Sequence, residues 1–153
     1  MKKICFVTTV YMTYKCFLKQ LSQYLYESGE YDISLICNNE EDALKDIPSF
    51  VHYHPVDMKR GVSLSAFGAI KKIGEILERE KFDIVQYSTP NAAFYASIAA
   101  KKKKVPVRLY CPMGNQIYGV EGWKRSVFKH LEKKTCDNST FIEAESHNIR
   151  NFR

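Results

Sequence analysis

The sequence predicts a doubly wound α/β domain built on a parallel β-sheet. Along its 153 residues, short apolar segments alternate with longer segments of helical periodicity. The first apolar segment, residues 3–9, is continuous, which is typical of a strand covered by helices on both faces. Strands that alternate with helices of this length pair in parallel through right-handed crossovers. We find no repeat, linker or internal boundary, so we expect a single domain over residues 1–153.

The first half of the chain predicts one long helix and two further strands. The helix spans residues 13–28, ends at Gly29, and carries four apolar residues at helical spacing: Phe17, Leu18, Leu21 and Leu25. Residues 31–37 are apolar and form the second strand. A polar, acidic loop is expected to continue through Asp46, and residues 51–54 form a short third strand.

The second half repeats the alternation. Ser63 is placed to cap a helix whose buried stripe consists of Phe67, Ile70, Ile73 and Leu77. Residues 83–88 form a fourth strand, and an alanine-rich helix that ends in four lysines follows it. Residues 105–111 form a fifth strand, residues 123–135 a basic helix, and residues 140–144 a sixth strand. This order completes a sheet with helices on both faces.

In open parallel sheets, ligands bind outside the carboxyl ends of the strands. Six loops are expected at that edge here: residues 8–13, 38–41, 55–61, 88–91, 112–122 and 145–147. The first of them lacks glycine, so its backbone cannot close around a pyrophosphate. A small nucleotide-binding regulator with a dinucleotide or Walker-type loop is therefore disfavoured.

Two of these loops carry features that suggest a ligand. Lys59 and Arg60 stand beside the flexible Gly61 before a predicted helix N-terminus, which favours an anion site. The alternative is a solvated charged turn. The loop at residues 112–122 holds three glycines and is either a ligand-contacting segment or a connection that needs positive φ angles.

The net charge of +6 suggests an anionic partner. The charge concentrates in residues 101–104 and in the basic helix, which either lies on anionic lipid or simply covers the sheet. Nucleic acid is disfavoured because the sequence has no helix-turn-helix, RNA-recognition or zinc signature. No segment approaches the apolar length of a membrane-spanning helix.

The cysteines and histidines indicate no metal or disulfide site. Five scattered cysteines form no Cys-x-x-Cys pair, which favours a reducing, cytoplasmic compartment, with three of the thiols buried in strands. His52 and His54 share one strand face, yet no third ligand lies near them in sequence. We therefore expect no metal and no covalent catalytic arrangement.

Five segments, taken in order, resemble the N-terminal domain of glycosyltransferase family 4, in particular its bacterial capsular and exopolysaccharide branch. They are residues 3–9, 17–29, 80–90, 122–132 and 141–146. The segment with the most specific match reads Glu-Lys-Phe-Asp-Ile-Val-Gln-Tyr-Ser-Thr-Pro and precedes the alanine-rich helix. The resemblance covers nearly the whole chain.

This resemblance implies the GT-B architecture, in which two Rossmann-like domains face each other across a cleft. The chain would be the acceptor-binding half of a retaining enzyme, and an absent C-terminal half or separate subunit would bind the nucleotide-sugar donor. No cofactor or metal is implied, since the nucleotide sugar is a substrate. The partners would be a nucleotide sugar and a saccharide or lipid-linked acceptor, with the protein cytoplasmic and peripheral at the inner face of the membrane. Alone, the chain is expected to be inactive.

The resemblance and the strand-end loops together give two groups of candidate residues. Those expected to bind the acceptor are Thr9, Tyr11, Lys59, Arg60, Thr89 and Asn91. Those expected to face the donor are Gly114, Asn115, Glu145 and Ser146. The family commonly has a His-Gly pair where this chain has Met113 and Gly114, so the histidine's role is not carried over and no catalytic residue is assigned. The alternative function is a non-catalytic α/β module that binds a membrane or a partner through its basic face.

Overall fold

The computed structural model describes residues 1–59, 65–113 and 121–143, and these form one α/β domain around a six-stranded sheet. All five strand pairings are parallel, and the strand order is β3-β2-β1-β4-β5-β6. The strands are β1 (Lys2–Val7), β2 (Tyr31–Cys37), β3 (Val51–Pro55), β4 (Ile84–Tyr87), β5 (Val107–Tyr110) and β6 (Phe141–Ile142). The predicted doubly wound parallel sheet is confirmed.

Helices cover both faces of the sheet. They are α1 (Tyr11–Thr13), α2 (Lys19–Glu27), α3 (Glu41–Asp46), α4 (Ser65–Glu80), α5 (Pro90–Lys102) and α6 (Trp123–Asn138), and a π-helical turn (Tyr14–Leu18) joins α1 to α2. The α4, α5 and α6 helices pack on one face, and α1, α2 and α3 pack on the other. None of the helices in the described part of the chain combines the length and apolarity that a bilayer crossing requires.

The central strand β1 shows why its sequence is continuously apolar from Ile4 to Val7. Cys5 and Val7 belong to the core under α4 and α5, whereas Ile4 and Phe6 belong to the core under α1 and α2. Successive side chains of a strand point to opposite faces, and here both faces are buried. The alanine-rich α5 lies over the middle of this sheet, and its short side chains allow close helix–sheet contact.

The buried face predicted for the first helix is wrong in part. Leu18 is buried as expected, but Phe17 is 64% exposed and Leu21 is 41% exposed. The π-helical turn adds a residue to one turn and rotates the face that follows it. Tyr14, whose hydroxyl lies 2.6 Å from Ser22 Oγ, takes a core position instead.

Two further predictions about helices are wrong. The acidic segment through Asp46 is not a loop but contains α3, a six-residue helix too short to show a periodic pattern. Its acidic first turn complements the positive end of the helix dipole, and Ala43 anchors it in the core. In α4, Phe67 lies outside the buried stripe and is 73% exposed, whereas Ile73 and Leu77 are buried as predicted.

The C-terminal elements agree with the prediction where they are described. The β6 strand spans two residues within the predicted 140–144, and Thr140 holds it against β5 by accepting a 2.8 Å hydrogen bond from the Arg108 backbone N–H. Ser63, the predicted cap of α4, lies outside the described residues. Cys5, Cys37 and Cys111 are buried, as predicted from their strand-like surroundings.

A half-buried carboxyl, that of Glu132, fastens the peripheral helix α6 to the sheet. The Tyr110 hydroxyl lies 2.8 and 2.9 Å from the two carboxyl oxygens of Glu132. Tyr110 stacks on Tyr87, whose hydroxyl lies 2.6 Å from Ser139 Oγ at the end of α6. Burial raises the pKa of Glu132, and the hydrogen bond from Tyr110 offsets part of that rise.

We expect the raised pKa of Glu132 to make the domain less stable as the pH rises. Between the unfolded pKa of about 4.3 and the higher folded value, the unfolded chain releases a proton that the folded chain keeps. Each pKa unit of difference lowers the free energy of unfolding by about 1.4 kcal/mol at higher pH. Glu132→Gln keeps an acceptor for Tyr110, so its stability advantage over the natural chain should grow from pH 4 to pH 8.

Urea unfolding at a series of pH values measures this difference. Glu30→Gln is the matched control, since Glu30 is exposed and its side chain makes no hydrogen bond within the described residues. A Glu132→Gln curve that stays parallel to that of the natural chain over this pH range would show that the carboxyl is well solvated in the folded state.

Candidate functional site

The carboxyl ends of β1 and β4 define a crevice at the centre of the sheet. These two strands are neighbours, but the chain leaves β1 towards α1 on one face and leaves β4 towards α5 on the other. Such a switch point is where open α/β sheets bind ligands. The residues that follow these two strands are therefore the candidates for a ligand site.

Thr9 and Thr89 join the two sides of the crevice. The Thr9 backbone N–H donates to Thr89 Oγ1 at 2.8 Å, and the two hydroxyl oxygens lie 2.7 Å apart. Thr89 stands at the N-cap of α5, yet its hydroxyl makes no capping bond to that helix. The side chain that would ordinarily cap α5 is instead used to bind the β1 loop.

Asn38, at the end of β2, connects the β1 loop to the β3 loop. Its backbone N–H donates to the Thr9 carbonyl at 3.1 Å, and its Oδ1 accepts a 2.6 Å bond from the Met58 N–H. Its carbonyl accepts a 2.6 Å bond from the Tyr53 hydroxyl. One asparagine thus fixes three segments that are distant in sequence.

A last hydrogen bond closes these contacts into a cycle. The Asn91 side-chain amide in the first turn of α5 donates to the Lys59 carbonyl at 2.7 Å. We call the closed set the strand-end ring; its members are Thr9, Asn38, Met58, Lys59, Thr89 and Asn91. The ring links the loops that follow β1, β2, β3 and β4, and it leaves the Lys59 side chain exposed.

Tyr11 anchors the loop after β1 from the other side. Its ring is buried, and its hydroxyl donates to Asp46 Oδ2 at 3.1 Å, while its backbone N–H donates to Glu40 Oε1 at 3.2 Å. Burial is the main cause that raises the pKa of Tyr11, so the hydroxyl remains a donor. Lys15 and Lys19 lie 3.1 and 3.2 Å from the Asp46 carboxyl and, with the bond from Tyr11, lower its pKa.

Small hydroxyls line the ends of the two central strands. Thr8 and Thr9 are buried, and Ser88 is only 1% exposed. The Ser88 hydroxyl has no hydrogen-bond partner among the described residues, which is uncommon for a buried polar atom. Its backbone joins the strands on both sides, since its N–H donates to the Val7 carbonyl and its carbonyl accepts from the Met113 N–H, each at 3.3 Å.

The structure gathers five of the predicted site residues at one edge. Thr9, Lys59, Thr89 and Asn91 are members of the strand-end ring, and Tyr11 buttresses it. The other five candidates lie outside the described residues: Arg60, Gly114, Asn115, Glu145 and Ser146.

Sequence reasoning missed Asn38, Glu40 and Ser88 as individual residues. The loop at residues 38–41 was placed at this edge, but Asn38 and its Met58 partner lie 20 positions apart, and no local pattern connects them. For Ser88 the available signal was its position at the end of a buried strand beside Thr89. Polar residues that directly follow a buried strand are therefore good candidates for ligand contacts.

The two histidines of β3 make separate contacts. His52 Nε2 lies 3.1 Å from Asp32 Oδ1, and His54 packs edge-on to Phe82 with its Nε2 buried and unpaired within the described part of the chain. Burial is the largest cause that lowers the pKa of His54. Over residues 1–59, 65–113 and 121–143, no group of three His, Cys, Asp or Glu side chains could hold a metal ion.

The arrangement is suited to binding. It presents hydroxyl, amide and ammonium groups, which hydrogen-bond to sugar hydroxyls and attract anions. Within the described ranges, no nucleophile is hydrogen-bonded to a histidine or other base in the strand-end ring. In the described part of the chain, this edge therefore offers polar groups for hydrogen bonding and no nucleophile–base pair.

Comparisons with known proteins agree with this fold. The sequence model of a family described as glycosyl transferase 4-like matches residues 3–146. A curated relative, the capsular polysaccharide biosynthesis glycosyltransferase CapM of Staphylococcus aureus, is 32% identical over 98 residues, which are 63% of this chain and 26% of CapM. The chain therefore spans about a quarter of that relative.

Among solved structures, the UDP-GlcNAc 2-epimerase of Methanocaldococcus jannaschii superposes with a TM-score of 0.72 at 18% identity, over 99% of this chain and 41% of the epimerase. MurG of Acinetobacter baumannii superposes with a TM-score of 0.67 at 11% identity, over 94% of this chain and 41% of MurG. At these identities the likeness establishes the fold alone.

Asn38→Ala should loosen the strand-end ring, because it leaves the Met58 N–H without its acceptor. We expect a loss of about 1–2 kcal/mol in the free energy of unfolding and faster hydrogen exchange at the Met58 amide. The neighbouring Asn39 is exposed and makes no side-chain hydrogen bond within the described residues, so Asn39→Ala should change stability by less than about 0.5 kcal/mol. Equal effects of the two substitutions would contradict a structural role for the ring.

Proposed function

The chain belongs to the glycosyl transferase 4-like family, and from that premise we propose that it is the acceptor-binding half of a retaining glycosyltransferase. In this proposal a sugar moves from a nucleotide-sugar donor to a polysaccharide or lipid-linked acceptor. The observation that carries the proposal is the strand-end ring, which holds polar groups from four loops at the switch point of the sheet. Membership in a transferase family and a preorganised polar edge together support a site that orients an acceptor.

Each acceptor-side candidate takes a distinct role. Lys59, with its side chain exposed and its carbonyl held by Asn91, would present its ammonium to a phosphate of the acceptor, together with Arg60. Thr9 and Thr89 would bind acceptor hydroxyls through their two hydroxyl oxygens, which are hydrogen-bonded to each other. Tyr11 is a positioning residue in this scheme, because its hydroxyl is engaged by Asp46.

The donor side would lie along the loops that follow β5 and β6. Gly114, Asn115, Glu145 and Ser146 are proposed to face the nucleotide sugar. Met113 precedes them, packs beside the core under α1 and α2, and holds the β4 end through its N–H. The epimerase in the comparisons is named for UDP-GlcNAc, which supports a nucleotide sugar as the donor class.

The remaining features follow from the same proposal. The name of CapM supports a role in capsular polysaccharide synthesis. The reaction would need no metal or cofactor, since the nucleotide sugar is a substrate. We place the protein in the cytoplasm at the inner face of the membrane, where a lipid-linked acceptor is accessible, and expect a donor-binding half to act with it.

Transfer of a radiolabelled sugar tests the proposal. This chain and its donor-binding half, whether covalently continuous or a separate polypeptide, are incubated with nucleotide sugars and a lipid-linked saccharide acceptor. Label in the acceptor only when both halves are present supports the proposal, and a product with retained anomeric configuration supports the retaining mechanism. Full activity of the donor-binding half without this chain would overturn it and favour a non-catalytic module.

Lys59→Ala should weaken use of the acceptor in that assay. Loss of a charge-assisted contact is expected to raise the KM for a phosphorylated acceptor about tenfold, equivalent to about 1.4 kcal/mol. The KM for the nucleotide sugar should stay unchanged, since the donor binds elsewhere. Lys72→Ala, on the exposed face of α4, is the matched control, and equal kinetics of the two variants would remove Lys59 from the site.

A further inference from the structure

Three small, buried polar residues lie side by side at the carboxyl edge of the sheet. Thr8 follows β1, Ser88 follows β4 and Cys111 follows β5. The backbone N–H of each donates to the neighbouring strand, so the parallel hydrogen-bond ladder continues through all three residues. The register of these strands makes the three residues neighbours across the sheet. We call them the strand-end row.

The strand-end row points to the face of the sheet that carries α1 and α2. The residues just before it, Val7, Tyr87 and Tyr110, belong to the core under α4 and α5. Successive side chains of a strand point to opposite faces, so the row points away from that core. Met113, whose N–H donates to the Ser88 carbonyl at 3.3 Å, packs on the core of the α1 and α2 face. The row therefore lies on the α1 side of the crevice between β1 and β4.

The middle member of the row has an unpaired hydroxyl. Thr8 Oγ1 donates to the Val10 carbonyl at 3.1 Å, and Cys111 Sγ lies 3.3 Å from Glu143 Oε2. Ser88 Oγ lies between these two side chains, is shielded from solvent, and has no hydrogen-bond partner in the described part of the chain. Burying a hydroxyl without a partner destabilises a fold, so such a group needs an explanation. At a switch point of the sheet, where ligands bind, a ligand is the expected partner.

The charges around the row favour a neutral ligand group. The row contains no cation, and the exposed carboxylate of Glu143 lies at its β6 end. A phosphate or carboxylate of a ligand would be repelled there. A sugar hydroxyl carries no charge and can both donate to and accept from a serine hydroxyl. The exposed Lys59 ammonium, beyond β3, is the group at this edge that suits a phosphate.

We propose that Ser88 Oγ binds one hydroxyl of the acceptor saccharide and makes the site specific for that hydroxyl. The inference rests on the proposed function, which supplies the saccharide, and adds a contact that the acceptor-side candidates do not include. Thr89 directly follows Ser88, so a sugar bound to the hydroxyls of the strand-end ring lies next to the row. The flexible side chain of Met113, half-buried on the same face, moves aside when the sugar enters.

Ser88→Ala separates a ligand contact from a structural contact. Removing a hydroxyl that has no partner leaves no group unpaired, so the equilibrium constant for folding should stay equal or rise by up to about fivefold. Ser97→Ala is the matched control. Ser97 is equally buried, but its hydroxyl donates to the Phe94 carbonyl at 2.9 Å and lies 3.4 Å from Asn138 Nδ2. Its folding constant should fall about fivefold, and urea unfolding measures both variants.

Sugar transfer by the chain with its donor-binding half tests the contact itself. The acceptors are octyl glycosides of glucose, galactose and N-acetylglucosamine, together with the monodeoxy analogues of each. Ser88→Ala should raise the acceptor KM about fivefold and leave the KM for the nucleotide sugar unchanged. Ser97→Ala should change neither KM. One deoxy analogue should give the same KM with Ser88→Ala as with the natural chain, because it already lacks the hydroxyl that Ser88 binds.

Two outcomes would overturn the inference and leave the proposed function standing. They are an unchanged acceptor KM in Ser88→Ala, as expected if the hydroxyl binds a buried water, and a loss of equal size for every deoxy analogue. Calorimetric binding of the same octyl glycosides distinguishes the two failures. If the natural protein transfers no sugar, the proposed function fails, and weaker glycoside binding by Ser88→Ala than by Ser97→Ala still supports the Ser88 contact. Equal glycoside binding by the two variants, or none by the natural protein, contradicts it.

Discussion

The parallel pairing of β1 with β4 determines most of what this domain can do. The two strands share the centre of the sheet, and the segments that follow them leave to opposite faces. Their carboxyl ends therefore separate, and the backbone groups beyond the pairing need partners from elsewhere. Short polar side chains supply those partners, which is why a set of buried hydroxyls lies where an apolar core might have continued.

The strand-end ring holds the loops in place by hydrogen bonds between side chains and backbone, without a glycine-rich turn. Dinucleotide-binding folds bring backbone close to a phosphate through a glycine-rich first turn. Here the first turn contains Thr8 and Thr9 and is held by Thr89, the N-cap residue of α5, and by Asn38, which follows β2. Because each loop is bound to another loop, a ligand at this edge meets groups that are already ordered, which lowers the entropy lost on binding. The glycine-poor turn that argues against a nucleotide fingerprint is thus compatible with a rigid polar site.

The sheet was predictable from sequence because burial on both faces gives strands such as β1 a continuous apolar signature. The errors have local causes. One extra residue in the π-helical turn reverses the exposure of Phe17, and α3 is shorter than two helical turns, so no periodicity could reveal it. The placement of Thr9 and Thr89 at one edge of the sheet was predictable, since both residues follow apolar strands; that they bind a ligand stays a prediction. Asn38 was not predictable as a junction, because its three partners lie in β3 and in the loops after β1 and β3, whose proximity depends on the completed sheet.

Glu132 affects both the packing of α6 on the sheet and the charge of its outer surface. A carboxyl at position 132 is an unfavourable group to bury, and burial raises its pKa accordingly. Turning it towards Tyr110 gives the carboxyl one hydrogen-bond donor and fastens the helix to β5. The same orientation withdraws a negative charge from the outer surface, so the cations of α6 face solvent with less internal neutralisation. An exposed Glu132 would sit on the same helix as Arg125, Lys129 and Lys133 and reduce their field. The tyrosine–carboxyl contact therefore supports both the packing of α6 and the cationic character of its outer face.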